Sequence, residues 1–450
     1  MKERRLMNKV QILLRQHVGA PCAPIVAVGD KVKKGTLIAT PTGLGANIFS
    51  SVYGVVDEVL EDRINIIPDA EQPDEYECIA EGDHLQMVKD AGIVGMGGAG
   101  FPAGVKLSAD LEGGYILVNA AECEPGLKHN IRQIEENVEM TIRGLKYCME
   151  IANAKKGVFA IKKKNEKAIE TLRAAIVNEP DITIHLLPDI YPMGEERAVV
   201  REVLDVLLEP TQLPSAAHAD VCNVETILRV AEAIELRKPS FSKNVTVVGK
   251  IKGGNEPHVF FDVPVGTDVE TLIEMAGGLD EEDGPIGEIV MGGPFTGKAT
   301  TPDAPITKTT GGIIPTIEFP DLHGAPVGLL VCACGGNEER MRDVCAKMNG
   351  KVVSVAECKQ AQRQKNGSLK CENPGNCPGQ AAKVLQFKKD GATDIIIGNC
   401  SDCSNTVMGS APKMKLRTWH MTDHIMRTIG HPLYRHLTVS KHVDQLPNGK

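Results

Sequence analysis

The chain has 450 residues, 42% hydrophobic and 24% charged, with a formal net charge of −9. That length predicts about three or four domains, and the balance is that of a soluble globular protein. The acidic excess excludes general nucleic-acid binding, and no apolar run reaches the ~18–20 residues of a membrane span. The opening MKERRLMNKVQILL is charged and lacks a signal-peptide cleavage site, which predicts a cytoplasmic protein. Thirteen cysteines are unevenly placed, eight of them after residue 330. Without an export signal they read as reduced thiols, cluster ligands or redox-active pairs rather than a disulfide framework.

In chain order, Pro21 to Asp62 alternates short strands and turns, with Gly29-Asp30 and Lys34-Gly35 as turn pairs. The acidic stretch Asp69–Glu77 reads as a solvated loop. Ala91–Leu107, AGIVGMGGAGFPAGVKL, then carries six glycines. A backbone this bare can approach a phosphate or a flat ring, and its N–H groups can form an anion-binding nest. It is not a Walker A loop, because no Gly-Lys-Ser/Thr follows. YILVNAAECEPG reads as a buried strand, Tyr115 to Val118, running into Asn119, Glu122, Cys123 and Glu124. Carboxylates at the carboxyl end of a strand lie where open α/β sheets bind ligands. Helical periodicity covers Arg132–Ala152. Tyr191-Pro192-Met193-Gly194 leads into Glu195 and Glu196 in the first turn of a helix, where acids complement the dipole. Asn223 caps another apolar-periodic helix, with Thr226 three residues on.

Residues 243–276 read as strand, turn, strand, helix. From Val327 onward the strands VGLLVCAC, KVVSVAEC, TDIIIGNC and MKLRTWHM alternate with helices, which implies a small parallel sheet. One of those helices, EERMRDVCAKM, is expected to hold Arg340 and Lys347 outside and Cys345 as a small buried hydrophobe. The strand ends carry Cys332/Cys334, Cys358 and Cys400; Cys403 completes a C-x-x-C, and Cys371 and Cys377 sit on an intervening loop. Strand ends lie along one sheet edge in this topology, so these cysteines are expected to converge. Two chemistries fit. Cys400 and Cys403 suit a dithiol–disulfide site, where a helix N-terminus lowers the first thiol's pKa. Alternatively, four of the seven bind an iron–sulfur cluster. Zinc would need paired C-x-x-C knuckles, and one is present. His420, His424, His431 and His436 cluster near the C-terminus and carry little weight as metal ligands.

GMGGAGFPAGVKL, NAAECEPG, YPMGEE and VCNVET, in that order, resemble the flavin- and NADH-binding segments of the complex I flavoprotein subunit and of the RnfC protein of the Rnf electron-transport complex. The segment near residues 21–62 resembles a barrel-sandwich hybrid, without a lysine on Thr42–Gly45 to modify. Residues 243–276 resemble the β-grasp (SLBB) module of the same family. The fold implied is α/β multidomain: 1–65 barrel-sandwich hybrid, 85–240 FMN/NADH-binding domain, 241–320 SLBB module, 326–450 small parallel α/β cysteine-rich domain.

The resemblance puts Gly95, Gly97 and Lys106 on the flavin phosphate and ring. Asn119, Glu122, Tyr191, Gly194, Asn223 and Thr226 would also contact FMN. Glu124, Glu195 and Glu196 would lie toward the nicotinamide nucleotide, with Phe101 available to stack. Met96 stands where the family often has arginine or leucine, and Cys222 where it often has asparagine. The family's C-x-x-C-x-x-C-x-x-x-C-P cluster runs are absent from this sequence. The cysteine-rich end resembles the small iron–sulfur delta subunit of methyl-viologen-reducing hydrogenases, with Cys332, Cys334, Cys358, Cys371 and Cys377 as cluster ligands in that reading.

Over nearly its whole length the chain is similar to the proline reductase-associated electron transfer proteins (PrdC). That likeness implies an NADH-dependent oxidoreductase that passes hydride to FMN and electrons through the C-terminal cysteines to a redox partner. D-proline reductase of Stickland fermentation is the partner it suggests; the sequence leaves the oligomeric state open, with a homo-oligomer among the options. Two other readings are a component of a membrane-associated Rnf complex and a non-catalytic scaffold.

Overall fold

Alternation in Val10–Leu13, Gly54–Val59 and Arg63–Pro68 puts Val10, Ile12, Val56, Ile64 and Ile66 into one buried core. These strands and Lys31–Val32 form an antiparallel sheet in the order Val10–Leu13, Arg63–Pro68, Gly54–Val59, Lys31–Val32. A second antiparallel sheet of Cys22–Pro24, Leu37–Pro41 and Ile48–Phe49 adds Cys22, Ile38 and Ile48 to the same core. The computed structural model describes residues 9–282 and 284–431, so His436 and the first eight residues lie outside the described part.

Continuous apolar runs bury the inner strands of the next sheet, Lys156–Lys162 and Tyr115–Ala120, while the edge strand Ile182–Leu187 stays largely half-buried or exposed. The sheet runs Ile182–Leu187, Lys156–Lys162, Tyr115–Ala120, Ala219–Asn223, every pair parallel. The strand order reverses between Tyr115–Ala120 and Ala219–Asn223, where Asn119 and Asn223 are partners in register. A crevice at such a switch point is the ligand position of an open α/β sheet. The single helix expected over Arg132–Ala152 is two, His129–Glu136 and Val138–Ile151, broken at Asn137 with φ −141°. Gly144 lets the second helix cross Val224–Glu235 closely, since a Cβ there would lie 1.9 Å from the Ile227 carbonyl oxygen.

Ser242–Val247, His258–Pro264 and the helix Val269–Met275 follow in the order read from sequence. They belong to a five-stranded sheet ordered His258–Pro264, Ser242–Val247, Gly312–Pro315, Ile289–Met291, Lys298–Thr300. The last sheet is wholly parallel: Lys351–Glu357, Pro326–Val331, Asp394–Ile397, Arg417–His420. Helices Glu338–Lys347, Ala381–Lys389 and Ser401–Ser410 connect or flank these strands, with Cys345 fully buried among them.

Polar side chains join these bodies. Lys308 donates to the carbonyls of Asn47 at 2.7 Å and Gly92 at 2.8 Å, tying the five-stranded region to the N-terminal sheets and the glycine loop. Arg229 donates to Glu225 at 3.0 Å, Glu232 at 2.7 Å and Asp262 at 2.7 Å, joining the flavin-type region to the five-stranded sheet. Arg340, expected on an outer face, instead turns toward Glu288, which also bonds His424 at 2.8 Å and Lys347 at 3.1 Å. Burial pushes the Glu288 carboxyl up, but the bonds from His424 and Arg340 more than offset this and hold it at about 2. Helical periodicity located the apolar face of Glu338–Lys347 and could not reveal a carboxylate 52 residues away in sequence.

Candidate functional site

Three loops and a strand end surround a cleft of about 470 Å³ at the switch point, within the ~300–1,000 Å³ usual for small-molecule sites. Of the residues singled out in sequence, Gly97, Asn119, Glu122 and Glu124 line it. Tyr191, Gly194, Glu195 and Asn223 complete that set on the opposite loops. The glycine loop is closed on itself by the Gly95 N–H, which donates to the Phe101 carbonyl at 2.8 Å. Thr226 accepts the Met96 N–H at 2.9 Å, so it positions the loop from beneath rather than facing the cleft. Gly98, at φ 105°, has nothing within 4 Å of its missing Cβ and leaves that wall open. Gly95 and Phe101 are not among the cleft-lining residues.

Opposite the glycines, Asn119 donates to the Gly194 carbonyl at 2.8 Å, and the Gly194 N–H donates to Cys123 Sγ at 2.7 Å. Strand end and Tyr191–Gly194 loop therefore hold each other. Glu195 caps the helix Glu196–Leu204 by accepting the Ala198 N–H at 2.9 Å. Glu122 has φ 37°, a left-handed backbone that a non-glycine residue keeps only where its surroundings impose it. Its Oε2 is buried with no hydrogen-bond partner among the described residues, as is Asn130 Oδ1 nearby. Burial pushes the Glu122 carboxyl up to about 7, against the bond from Asn130. Acceptors left unpaired in a cleft fit a ligand that brings N–H or O–H donors.

Other predicted residues have protein partners. Glu124 lines the cleft, yet accepts from the Phe295 N–H at 2.7 Å and the Thr296 hydroxyl at 2.5 Å. Lys106 and Glu196 are not among the lining residues and pair with each other at 2.6 Å. Lys106 also lies 3.3 Å from Asp220, a buried carboxylate on Ala219–Asn223. Burial lowers the Lys106 pKa, but the Asp220 and Glu196 carboxylates more than offset it and raise it above the ordinary lysine value.

The seven tail cysteines do converge. Cys332, Cys334, Cys358, Cys371, Cys377, Cys400 and Cys403 line one cavity of about 20 Å³, room for about one water molecule. Two glutamines that sequence reasoning missed order the thiols. Gln380 Nε2 donates to Cys358 at 3.1 Å and to Cys377 at 3.2 Å, and Gln360 Oε1 accepts from Cys371 at 3.8 Å. Cys400 occupies the N-cap position of Ser401–Ser410 without a side-chain capping bond, and interaction with Cys334 holds its thiol below the ordinary value, against burial. Burial pushes the Cys403 thiol well up. Seven thiols are a sufficient donor set for an iron–sulfur cluster, and here they are closed up on one another. Among the described residues no three of His, Cys, Asp and Glu are arranged around a single metal ion. His420 pairs with Ser404 at 2.7 Å and His424 with Glu288 at 2.8 Å, and neither belongs to a metal-binding group among the described residues.

Comparison with known proteins identifies the family. Residues 88–232 match the family model of the Nuo51 FMN-binding domain, and residues 1–79 that of the RnfC barrel sandwich hybrid domain. The cobalamin reductase PduS of Salmonella typhimurium is 38% identical over 231 residues, 51% of this chain and 49% of that protein. The chain thus spans about half the length of that curated relative. The C subunit of the proton-translocating ferredoxin:NAD(+) oxidoreductase complex of Clostridium ljungdahlii is 32% identical over 332 residues, 68% of this chain and 70% of that protein. Its Na(+)-translocating counterpart in Acetobacterium woodii is 30% identical over 328 residues, 68% of this chain and 72% of that protein. No helix among the described residues is long and apolar enough to cross a membrane. The two matching family models and the extent of these last two matches place this chain in the RnfC / complex I 51K-like family.

Proposed function

We propose that the chain is an NADH-dependent electron-transfer flavoprotein that binds FMN in the switch-point cleft and passes electrons to a protein partner. The observation that carries this is the meeting of all four family-like segments on one cleft: Gly97, Asn119 with Glu122, Tyr191 with Gly194, and Asn223. The residues fit the group. Gly97 and Gly98 give a wall without side chains, and the unpaired Glu122 Oε2 is an acceptor for a flavin or ribose donor. When bound, FMN supplies hydride acceptance and single-electron release. The chain's own part is to orient, to exclude water and to offer charge: Asn119 holds the Tyr191–Gly194 loop, Asn223 caps the helix Val224–Glu235, and Glu195 lines the cleft for the nicotinamide nucleotide.

The division into barrel-sandwich, flavin, SLBB and cysteine-rich modules is part of this reading, with the SLBB module as a structural spacer. A protein acceptor is supported by relatives that belong to multi-subunit complexes. D-proline reductase is the acceptor suggested by the resemblance, and an Rnf-type assembly is the second, which copurification with membranes would favour. The deciding experiment is anaerobic: load the protein with FMN, remove the excess, and titrate with NADH. Retained flavin that bleaches supports the proposal; no retained flavin overturns it and leaves a scaffold.

A further inference from the structure

The cleft and the cysteine cavity share a wall. Ala333, Cys334 and Cys371 line both spaces. Cys334 follows Pro326–Val331 and Cys371 ends Leu369–Cys371, so the two thiols come from different elements. Interaction with the Cys371 and Cys400 thiols pushes the Cys334 thiol well up, and Cys400 and Cys403 line the inner cavity and not the cleft. The wall is built firmly. Arg197 donates to the Cys371 carbonyl at 2.7 Å, and Arg201 donates to Asn373 Oδ1 and the Pro374 carbonyl, both at 2.6 Å. The Tyr191 N–H donates to Ser401 Oγ at 2.8 Å, and the Ser401 N–H donates back to the Tyr191 carbonyl at 3.0 Å. The cleft's own loop is therefore stitched to the helix that starts at Cys400. The Arg197 guanidinium, paired with Glu195 at 3.1 Å, has Nη1 buried without a hydrogen-bond partner among the described residues. Interaction with Cys334 chiefly lowers the Cys371 thiol, and the Arg197 charge acts in the same direction.

We infer that Cys334 and Cys371 form a dithiol–disulfide couple, the first acceptor beyond the cleft, rather than Cys400 with Cys403. This rests on the flavin reading above. In the step, the Cys334–Cys371 S–S bond breaks as the reduced flavin supplies two electrons and two protons, giving two thiols and oxidised flavin. The bond re-forms when the same two electrons and two protons leave to a disulfide or other two-electron acceptor on the partner. Because Cys400 lines the same inner cavity as Cys334, thiol–disulfide exchange can move the bond inward, away from the cleft.

The test uses the full-length, FMN-loaded protein under anaerobic conditions. Oxidised wild-type protein, alkylated and digested, should give a Cys334–Cys371 linked peptide that NADH abolishes. Thiol titration should show about two new thiols for each flavin reduced, and close to none in Cys371→Ser. A linked peptide at Cys400–Cys403 instead, or reduced flavin with no new thiols in wild type, overturns the couple. So does iron bound to purified wild-type protein and lost in Cys371→Ser, which would assign these thiols to a cluster. Wild-type flavin that NADH fails to bleach would instead sink the flavin reading itself. The peptide map needs no variant, so a misfolded substitution cannot decide the outcome.

Discussion

Two parallel four-stranded sheets in this molecule use one architectural rule for different chemistries. In both, functional groups are collected at the carboxyl ends of the strands, beside a reversal of strand order. Around the Tyr115–Ala120 strand, the loops are glycines and carboxylates, and they leave an open cleft of about 470 Å³. Around the Pro326–Val331 strand, the loops are cysteines and amides, and they close to about 20 Å³. Loop composition decides between the two outcomes. Backbone without side chains keeps a space open, whereas soft, partly apolar thiols pack against one another. The open site can admit a large polar ligand, and the closed one can exchange bonds and electrons among its own atoms.

The sharpest way to break the comparison is to fill the open site. Gly97 has an ordinary negative-φ backbone, and a Cβ there would stand 3.2 Å from Asn223, a contact that a small shift relieves. Gly97→Val should therefore fold while weakening FMN binding about 1,000-fold, some 4 kcal/mol. Equilibrium dialysis with FMN checks this; unchanged affinity would show that the glycine loop is only a turn. Lys106→Ala tests the edge of the same sheet by stability. It strips the buried Asp220 of its cation, and breaking one side of such a pair costs about 3 kcal/mol. Urea unfolding of the flavin-free protein would measure the loss. Lys106→Ala/Asp220→Asn should recover most of it if the ion pair is the cause.

A smaller change addresses the shared wall. Arg201 is 2% exposed and clamps the Asn373–Pro374 turn next to Cys371. Arg201→Ala should cost about 2 kcal/mol or more, because it leaves the Pro374 carbonyl unpaired and takes the cation from the buried Glu202. It should also raise the rate at which Cys371 is alkylated relative to Cys345, which lies in a separate helix face. Equal acceleration at both cysteines would indicate general loosening and no specific clamp.

The strands and the convergence of seven cysteines were legible in the sequence, because apolar runs between helices define a parallel sheet and hence its functional edge. The cleft loops were legible through their glycines and through Asn119, Glu122 and Asn223. What stayed hidden is the pairing of polar groups across long sequence separations. Glu124 reads as a ligand-facing acid, and its partners Phe295 and Thr296 lie 171 and 172 residues away. Lys106 reads as a phosphate contact, yet its neighbour Asp220 is on a strand that only the folded sheet brings near. Gln360 and Gln380 carry no motif, since an amide that orders a thiol looks like any loop glutamine until the loop is folded. The break at Asn137 was also hidden, because an apolar period can continue through an interrupted helix.

The finest expected effect concerns protons in the cleft. The folded-state pKa of Glu122 is about 7 against an ordinary 4.5, chiefly because burial disfavours the carboxylate. Between those values the folded state binds more protons than the unfolded chain, so its contribution to stability is full below pH 4.5 and is lost as pH rises to about 7. Glu122→Gln removes the titrating group while keeping its shape. Urea midpoints at pH 5 and pH 7.5 should therefore differ less in the variant than in wild type. Cys332 and Cys358 should contribute nothing to that difference, because burial pushes both up to about 12, and the lowered thiols Cys371 and Cys400 are common to both proteins and cancel in the comparison. Equal pH dependence in both proteins would mean that Glu122 is solvated and charged, and that the cleft's unpaired acceptor is not buried in solution. A ligand that donates to Glu122 Oε2 should pull the carboxyl back down, so adding FMN should flatten the wild-type curve toward that of the variant. The difference between wild type and Glu122→Gln, rather than either profile alone, isolates this carboxyl from other buried groups that titrate in the same range, such as Lys308, which burial lowers to about 7.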